Sequence, residues 1–188
     1  MCLTGWTTFQ NFKHGPETSR NRNVVSISIN GDIIASSNIK EKCHVWSITK
    51  RKKLYSVNHK DSVNHVRLFP DSTLGFDLIT ASDDQTLSFW RGGVHIKSLE
   101  HSGPCNHFDL DDTNRLLAVA CERSLTTEKT NFFGKTEKLT SVTVWRLDNF
   151  TQVDQVKFGC TAEVRFNADS TKIIAVKKSG EVIVINLE

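Results

Sequence analysis

"SVNHKDSVNHVRLFPDSTLGFDLITASDDQTLSFW", residues 56–90, holds two runs rich in Val, Leu, Ile and Thr, then the polar turn "DDQ", then a third run, "TLSFW". The runs are short, and no apolar spacing of i, i+3, i+4, i+7 runs through them, so they predict β-strands rather than a helix. Paired glycines follow in "FWRGG", read as a hairpin turn, and then a fourth run, "VHIKSLEH". The stretch predicts a small antiparallel meander of four strands.

The same order of runs recurs on both sides. Upstream stand "VVSISIN", "IIASS", "CHVWSIT" and "KLYSVNH"; downstream stand "CNHFDLD", "RLLAVAC", "SVTVWRLD" and "TQVDQVKF", and last "AEVRFN", "KIIAVKK" and "EVIVINLE". Trp46, Trp90 and Trp145 are 44 and 55 residues apart, the longer interval coinciding with a polar insertion at 123–140, and Ile185 takes the equivalent place 40 residues on. His14, His59 and His101 keep the same phase, 45 and 42 residues apart. A period of about 40 to 45 residues with four strands per unit is the mark of a propeller blade. The expected fold is all-β: about four blades of four-stranded antiparallel sheet in a single domain over 1–188, with approximate repeats 6–50, 51–93, 94–150 and 151–188.

These residues resemble the WD-repeat family, whose best-preserved units open with Gly-His and close the third strand with Trp-Asp. Here the opening pair reads "KH" at 13–14, "NH" at 58–59 and "EH" at 100–101, and the closing pair "WS" at 46–47, "WR" at 90–91 and "WR" at 145–146. The resemblance implies that His59, Thr80, Asp84 and Trp90 form a buried hydrogen-bond chain in the second unit. An imidazole, a hydroxyl, a carboxylate and an indole N–H supply donors and acceptors that can alternate, and such a chain stabilises only when every member is satisfied. The first unit offers His14, Ser36 and Trp46 with Lys40 at the Asp position; the third offers His101 and Trp145 with Ala118 at the hydroxyl position; the fourth has neither His nor Trp. WD-repeat rings usually have about seven blades, so four leave three arrangements open: part of a longer propeller, pairing with another half-propeller in a second copy or another protein, or a strained four-blade ring.

Composition bounds the function classes. The 38% hydrophobic and 24% charged residues are ordinary for a globular domain, and the net charge of +3 is dispersed along the chain, which speaks against a nucleic-acid or anionic-membrane partner. The five cysteines are widely spaced and include no C-x-x-C pair, as expected of free thiols in a reducing compartment, cytoplasmic or nuclear. The N-terminal residues lack a secretory pattern, and no apolar run reaches membrane-spanning length. No phosphate loop, nucleophile elbow or metalloprotease motif is present, and no cofactor is expected. "HSGPCNH" places His101, Cys105 and His107 close together but reads as a blade opening followed by a strand, not a metal site. "DLDDTN", with Asp109, Asp111 and Asp112, reads as a turn, and "KRKK" at 50–53 as a solvated hairpin.

The loop "ERSLTTEKTNFFGKTEKLT", 122–140, is the candidate partner site. Two adjacent aromatics in a solvent loop gain nothing unless they pack on something, so Phe132 and Phe133, with Arg123, Lys129 and Lys135 around them, are candidate anchors for a protein or peptide; folding back over the blade edge is the alternative. The expected function is a non-enzymatic interaction scaffold or adaptor. "INGDIIASSNIKEKCHVWSI" looks like units of F-box-type ubiquitin-ligase substrate receptors. The alternatives are a propeller enzyme with channel acids or a propeller binding nucleic acid or phosphoinositide.

Overall fold

In the computed structural model the described residues are 24–38, 41–69, 74–111, 113, 115–123, 139–159, 161–177 and 179–187, and they form fifteen strands in four sheets. His14, Lys40, Asp112 and residues 124–138, which include Lys129, Phe132, Phe133 and Lys135, lie outside them. Sheet 1 is β1 (Val24–Asn30), β2 (Ile33–Asn38), β3 (Lys42–Ser47) and β4 (Lys52–Asn58); sheet 2 is β5 (Val63–Leu68), β6 (Leu78–Ser82), β7 (Thr86–Arg91) and β8 (Val94–Glu100). Sheet 3 is β9 (Cys105–Leu110), β10 (Leu116–Arg123), β11 (Leu139–Arg146) and β12 (Thr151–Gly159); sheet 4 has only β13 (Thr161–Phe166), β14 (Lys172–Lys177) and β15 (Val182–Asn186). Each is an antiparallel meander with strands in chain order.

The four sheets share one register, which settles the repeat residue by residue. Across sheet 2, Leu68 pairs with Leu78 and Leu78 with Trp90; the matching rows are Ile29, Ile34, Trp46 in sheet 1, Leu110, Leu117, Trp145 in sheet 3 and Phe166, Ile173, Ile185 in sheet 4. Ile185 therefore stands where the other sheets carry tryptophan. One step along, Val66, Thr80, Ser88 match Ile27, Ser36, His44, then Phe108, Val119, Thr143, then Val164, Ala175, Ile183. This corrects the sequence alignment of the third unit: Val119, not Ala118, holds the hydroxyl position. Ala118 points to the opposite face, because side chains alternate along a strand and a one-residue slip reverses them.

Neighbouring sheets pack face to face through their first strands. The near face of sheet 2 (Val66, Leu68, Leu78, Trp90) closes on Ala35, Cys43, Val45 and Val57 of sheet 1. Its far face (Ile79, Ala81, Leu87, Phe89) closes on Phe108, Leu110, Leu117 and Val119 of sheet 3. There Phe69, Phe76, Phe89 and Phe150 stack edge to face at 4.9–5.3 Å, the arrangement that the ring quadrupole favours. Ala118, Ala120, Val142 and Val144 in turn meet Val164, Ile173, Ala175 and Ile185 of sheet 4. No comparable core joins sheet 4 to sheet 1 among the described residues, so the sheets form an open arc. Beside sheet 4, which has three strands among the described residues, a cavity of about 460 Å³ opens between Arg146, Val153 and Leu187.

The β7–β8 hairpin needs its glycines for different reasons. Gly92 and Gly93 both have positive φ, +56° and +87°. A Cβ on Gly92 would meet nothing within 4 Å, whereas one on Gly93 would lie 3.1 Å from the Tyr55 side chain. Asp77 locks the arrangement, accepting hydrogen bonds from the Gly92 N–H (2.8 Å) and the Tyr55 hydroxyl (3.2 Å). Gly92→Ala is expected to cost about 1 kcal/mol and Gly93→Ala roughly 2–3 kcal/mol, the strain plus the clash. Urea denaturation midpoints of the two variants check the order; equal midpoints would mean that Tyr55 yields freely.

Candidate functional site

The sequence-predicted chain of polar groups in sheet 2 is assembled from two turns and two strands. His59 follows β4, Thr80 lies mid-β6, Asp84 sits in the β6–β7 turn and Trp90 is the last but one residue of β7. Trp90 Nε1–H donates to Thr80 Oγ1 at 2.8 Å, Thr80 Oγ1 lies 2.6 Å from His59 Nε2, and His59 Nδ1 lies 2.8 Å from Asp84 Oδ2. An ionised Asp84 can only accept, so the imidazole proton sits on Nδ1 and Nε2 accepts from the Thr80 hydroxyl. Burial holds the His59 pKa below its ordinary value although the Asp84 charge opposes it. Burial also raises that of Asp84, but hydrogen bonds from Thr86 and the Lys60 N–H, with His59 beside it, outweigh this and bring it down to about 2. The chain thus pins the turn before β5 to the turn before β7.

Sheet 3 repeats the frame with a gap in it. His101 and Trp145 stand edge to face at 5.8 Å, as His59 and Trp90 do. With Val119 at the hydroxyl position, His101 Nε2, Trp145 Nε1 and Thr143 Oγ1 are buried with no hydrogen-bond partner among the described residues. In sheet 1, Ser36 and Trp46 occupy matching rows and are buried.

The metal candidate is rearranged. A register shift between Ala120 and Cys121 turns Cys105 and His107 to opposite faces, so His101, Cys105 and His107 do not converge. Cys121 takes the place of His107: the ligand atoms of His101, Cys105 and Cys121 lie within 4.8 Å of one another. Cys105 Sγ and Cys121 Sγ are 3.2 Å apart. Two thiolates on one zinc stand roughly 3.8 Å apart, from a bond of about 2.3 Å and the tetrahedral angle, so the spacing fits a hydrogen-bonded thiol pair. Burial raises both thiols, yet bonds from Cys105 and His101 bring Cys121 down to about 6, while Cys105 stays well above its ordinary value.

The acidic residues have structural duties. Asp109 takes Arg67 Nη1 at 2.6 Å and the Phe166 N–H at 2.9 Å. Asp111 accepts from Thr113 Oγ1 and from the Arg115 and Leu116 N–H groups, closing the β9–β10 turn. Lys50 and Arg51 lie in a turn, and Lys52 and Lys53 open β4 as exposed residues.

Sequence reasoning missed one set of residues. The first strand of every sheet carries two polar side chains alternating with two apolar ones: Ser26 and Ser28, His65 and Arg67, His107 and Asp109, Glu163 and Arg165. Several cap the edge amides of the next first strand. Ser26 Oγ accepts from Val66 N–H (3.2 Å), Ser28 Oγ from Leu68 N–H (2.9 Å), and Asp109 from Phe166 N–H. The signal was the four-residue polar-apolar alternation, visible in "SISI", "HVRL", "HFDL" and "EVRF". In this row the His65 and His107 rings lie 4.0 Å apart. Burial, then the positive neighbours, push their pKa values down to about 3 and about 4.

Two outcomes follow. Thr80→Val is expected to lower stability by about 2–3 kcal/mol by orphaning His59 and Trp90, and Val119→Thr to raise it by about 1 kcal/mol by giving His101 and Trp145 a shared partner; paired thermal melts check the opposite signs. Because folded His65 and His107 resist protonation, the unfolded chain binds more protons as pH falls from about 6.5 toward 4, and stability drops by about 1.4 kcal/mol per pH unit for each such proton. Asp84 adds its own loss from about pH 4 down to 2, since its folded pKa is depressed. Denaturation between pH 7 and 4.5 should show this slope, flattened in His65→Asn/His107→Asn.

The family model for "WD domain, G-beta repeat" matches residues 51–91, the unit holding the complete polar chain. No curated protein matches the sequence. A solved structure, that of the computationally designed Ika4 protein, is similar in fold at a TM-score of 0.67 and 14% identity, over 93% of this chain and 96% of that chain. Residues 51–91 match a WD40 repeat, and three further sheets share the register of that unit, so the described residues have the fold of four propeller blades.

Proposed function

We propose that the chain is a non-enzymatic adaptor that holds a protein or peptide on the loop end of its sheets, serving as the substrate-recognition part of a ubiquitin-ligase complex in a reducing, cytoplasmic or nuclear compartment. WD40 repeats generally serve as interaction scaffolds, which supports the broader part of this reading. The observation that supports the loop as the partner site is the difference between equivalent turns. Three residues, 83–85, join β6 to β7, whereas fifteen, 124–138, join β10 to β11. The long connection leaves from Arg123 paired with Leu139, at the end of sheet 3 that matches the Asp84 turn of sheet 2. A long connection that carries two adjacent phenylalanines and several cations between two paired strands offers aromatic anchors to a partner. The buried thiols Cys43, Cys105 and Cys121 fit the reducing setting.

Affinity capture from cell extract with the wild-type chain and with Phe132→Ser/Phe133→Ser tests the reading. A discrete set of proteins that includes ubiquitin-ligase subunits, at least tenfold depleted on the double variant at unchanged melting temperature, is the expected result. Capture that is identical for both chains would remove the loop from the reading, and a set without ligase subunits would remove the ligase.

A further inference from the structure

The thiol pair of sheet 3 has no part in the loop reading. Cys105 of β9 stands directly opposite Cys121 of β10. The next pair outward, Pro104 and Glu122, carries the backbone hydrogen bond, Glu122 N–H to Pro104 O at 2.8 Å. In an antiparallel ladder such pairs alternate with pairs that exchange no hydrogen bond, where the Cα atoms approach to about 4.5 Å. Cys105 and Cys121 form a pair of that second kind, and a disulfide spans Cα atoms about 4.4–6.8 Å apart. Both thiols are free and buried, with Sγ atoms 3.2 Å apart. Bond formation needs them to close by roughly 1 Å, to about 2.05 Å. The matching place in sheet 2 holds Val63 opposite Ser82, so the thiol pair is not a requirement of the blade. The pair lies near the end of the sheet, beside half-buried His101 and exposed Ser102. Strand ends open locally at low cost, which admits an oxidant as small as hydrogen peroxide.

We propose that Cys105 and Cys121 are a reversible redox modification site, joined in a disulfide by hydrogen peroxide and returned to thiols by a dithiol reductant. Hydrogen bonds from Cys105 and His101 hold the Cys121 thiol down to about 6, while burial keeps Cys105 well above its ordinary value. Cys121 therefore supplies the attacking thiolate and Cys105 the resolving thiol. Cys121 Sγ attacks one peroxide oxygen: an S–O bond forms, the O–O bond breaks, and the departing hydroxide takes up the proton that the Cys121 thiol released. Cys105 Sγ then attacks Cys121 Sγ: the S–S bond forms, the S–O bond breaks, and hydroxide leaves as a second water with the Cys105 proton. The two thiols lose two electrons and the peroxide gains them. A dithiol returns two electrons and two protons by thiol–disulfide exchange. In a reducing compartment such a bridge is transient and reports on oxidant, so the pair rests as thiols. The bridge ties β9 to β10 two residues before Arg123, where the long connection leaves. The inference rests on the pair alone and holds whether or not that connection binds a partner.

Intact-mass measurement and non-reducing peptide mapping of the purified 188-residue chain after brief peroxide treatment test it, beside Cys105→Val and Cys121→Ser. Each substitution puts in the residue that sheet 2 carries at the matching place, so each variant is expected to fold, checked by circular dichroism. The wild-type chain is expected to lose two hydrogens, to yield a cross-linked peptide pair containing Cys105 and Cys121, and to recover both thiols in dithiothreitol. Its oxidised form should melt several degrees higher, since the bridge closes a loop over residues 106–120. Cys105→Val should stop at a sulfenic acid on Cys121, trapped by dimedone, and Cys121→Ser should leave Cys105 unmodified. Two thiols that survive peroxide in the folded chain would overturn the proposal, as would bridges only to other cysteines. So would zinc retained at one ion per chain and protecting both thiols, which would make His101, Cys105 and Cys121 a metal site. A sulfenic acid on Cys105 in Cys121→Ser, with none on Cys121 in Cys105→Val, would overturn the assigned roles.

Discussion

A sheet that is apolar on both faces has no stable position except between two others, and this constraint governs the molecule. Sheets 2 and 3 satisfy it fully: Ile79, Phe89, Phe108 and Val119 are removed from water on both sides of their junction. The first strands bear most of the contact between neighbours, and their edges would otherwise present unpaired amides. In β5 and β9 the apolar pair enters the core, while Ser26, Ser28 and Asp109 cap amides of the neighbouring first strand, so the polar-apolar alternation serves both needs.

Much of this was legible beforehand. The four meanders, their order and the tryptophan phase follow from strand periodicity and turn chemistry, both local in sequence. The complete chain of His59, Thr80, Asp84 and Trp90 was legible because each residue type is chemically distinctive and the spacing within that unit is regular. The third unit was misaligned by one residue because apolar Ala118 and Val119 are equally plausible at the register position, and only cross-strand pairing tells them apart. The His101, Cys105, His107 grouping failed for a related reason. A bulge at Asn106, between Cys105 and His107, breaks the assumption that residues two apart share a face, and nothing in "CNH" announces it. The partner of Cys105, Cys121, lies 16 residues away across a strand pair and gave no signal in spacing.

The degeneracy of the repeats has a physical pattern. Sheet 2 keeps all four members of the polar chain. Sheet 3 keeps the aromatic and the imidazole but loses the hydroxyl between them, the costlier kind of loss, since buried donors and acceptors remain without partners. Sheet 4 replaces the row with Ile173, Ala175, Ile183 and Ile185, removing the polar groups altogether, and an apolar row leaves nothing unsatisfied. Full networks and absent ones are both self-consistent; the intermediate case carries strain.

Because each sheet's main contacts are with its immediate neighbours, the arc behaves as a short linear array in which cooperativity passes only from one junction to the next. Among the described residues sheet 4 has three strands, Ile185 in place of an indole, and Val182 and Val184 exposed, and it is the weakest link. Under load, or under attack by a protease, the array frays from that end while the phenylalanine-filled junction between sheets 2 and 3 holds longest. The route by which such a chain is dismantled is therefore directional, running from its C-terminal sheet inward.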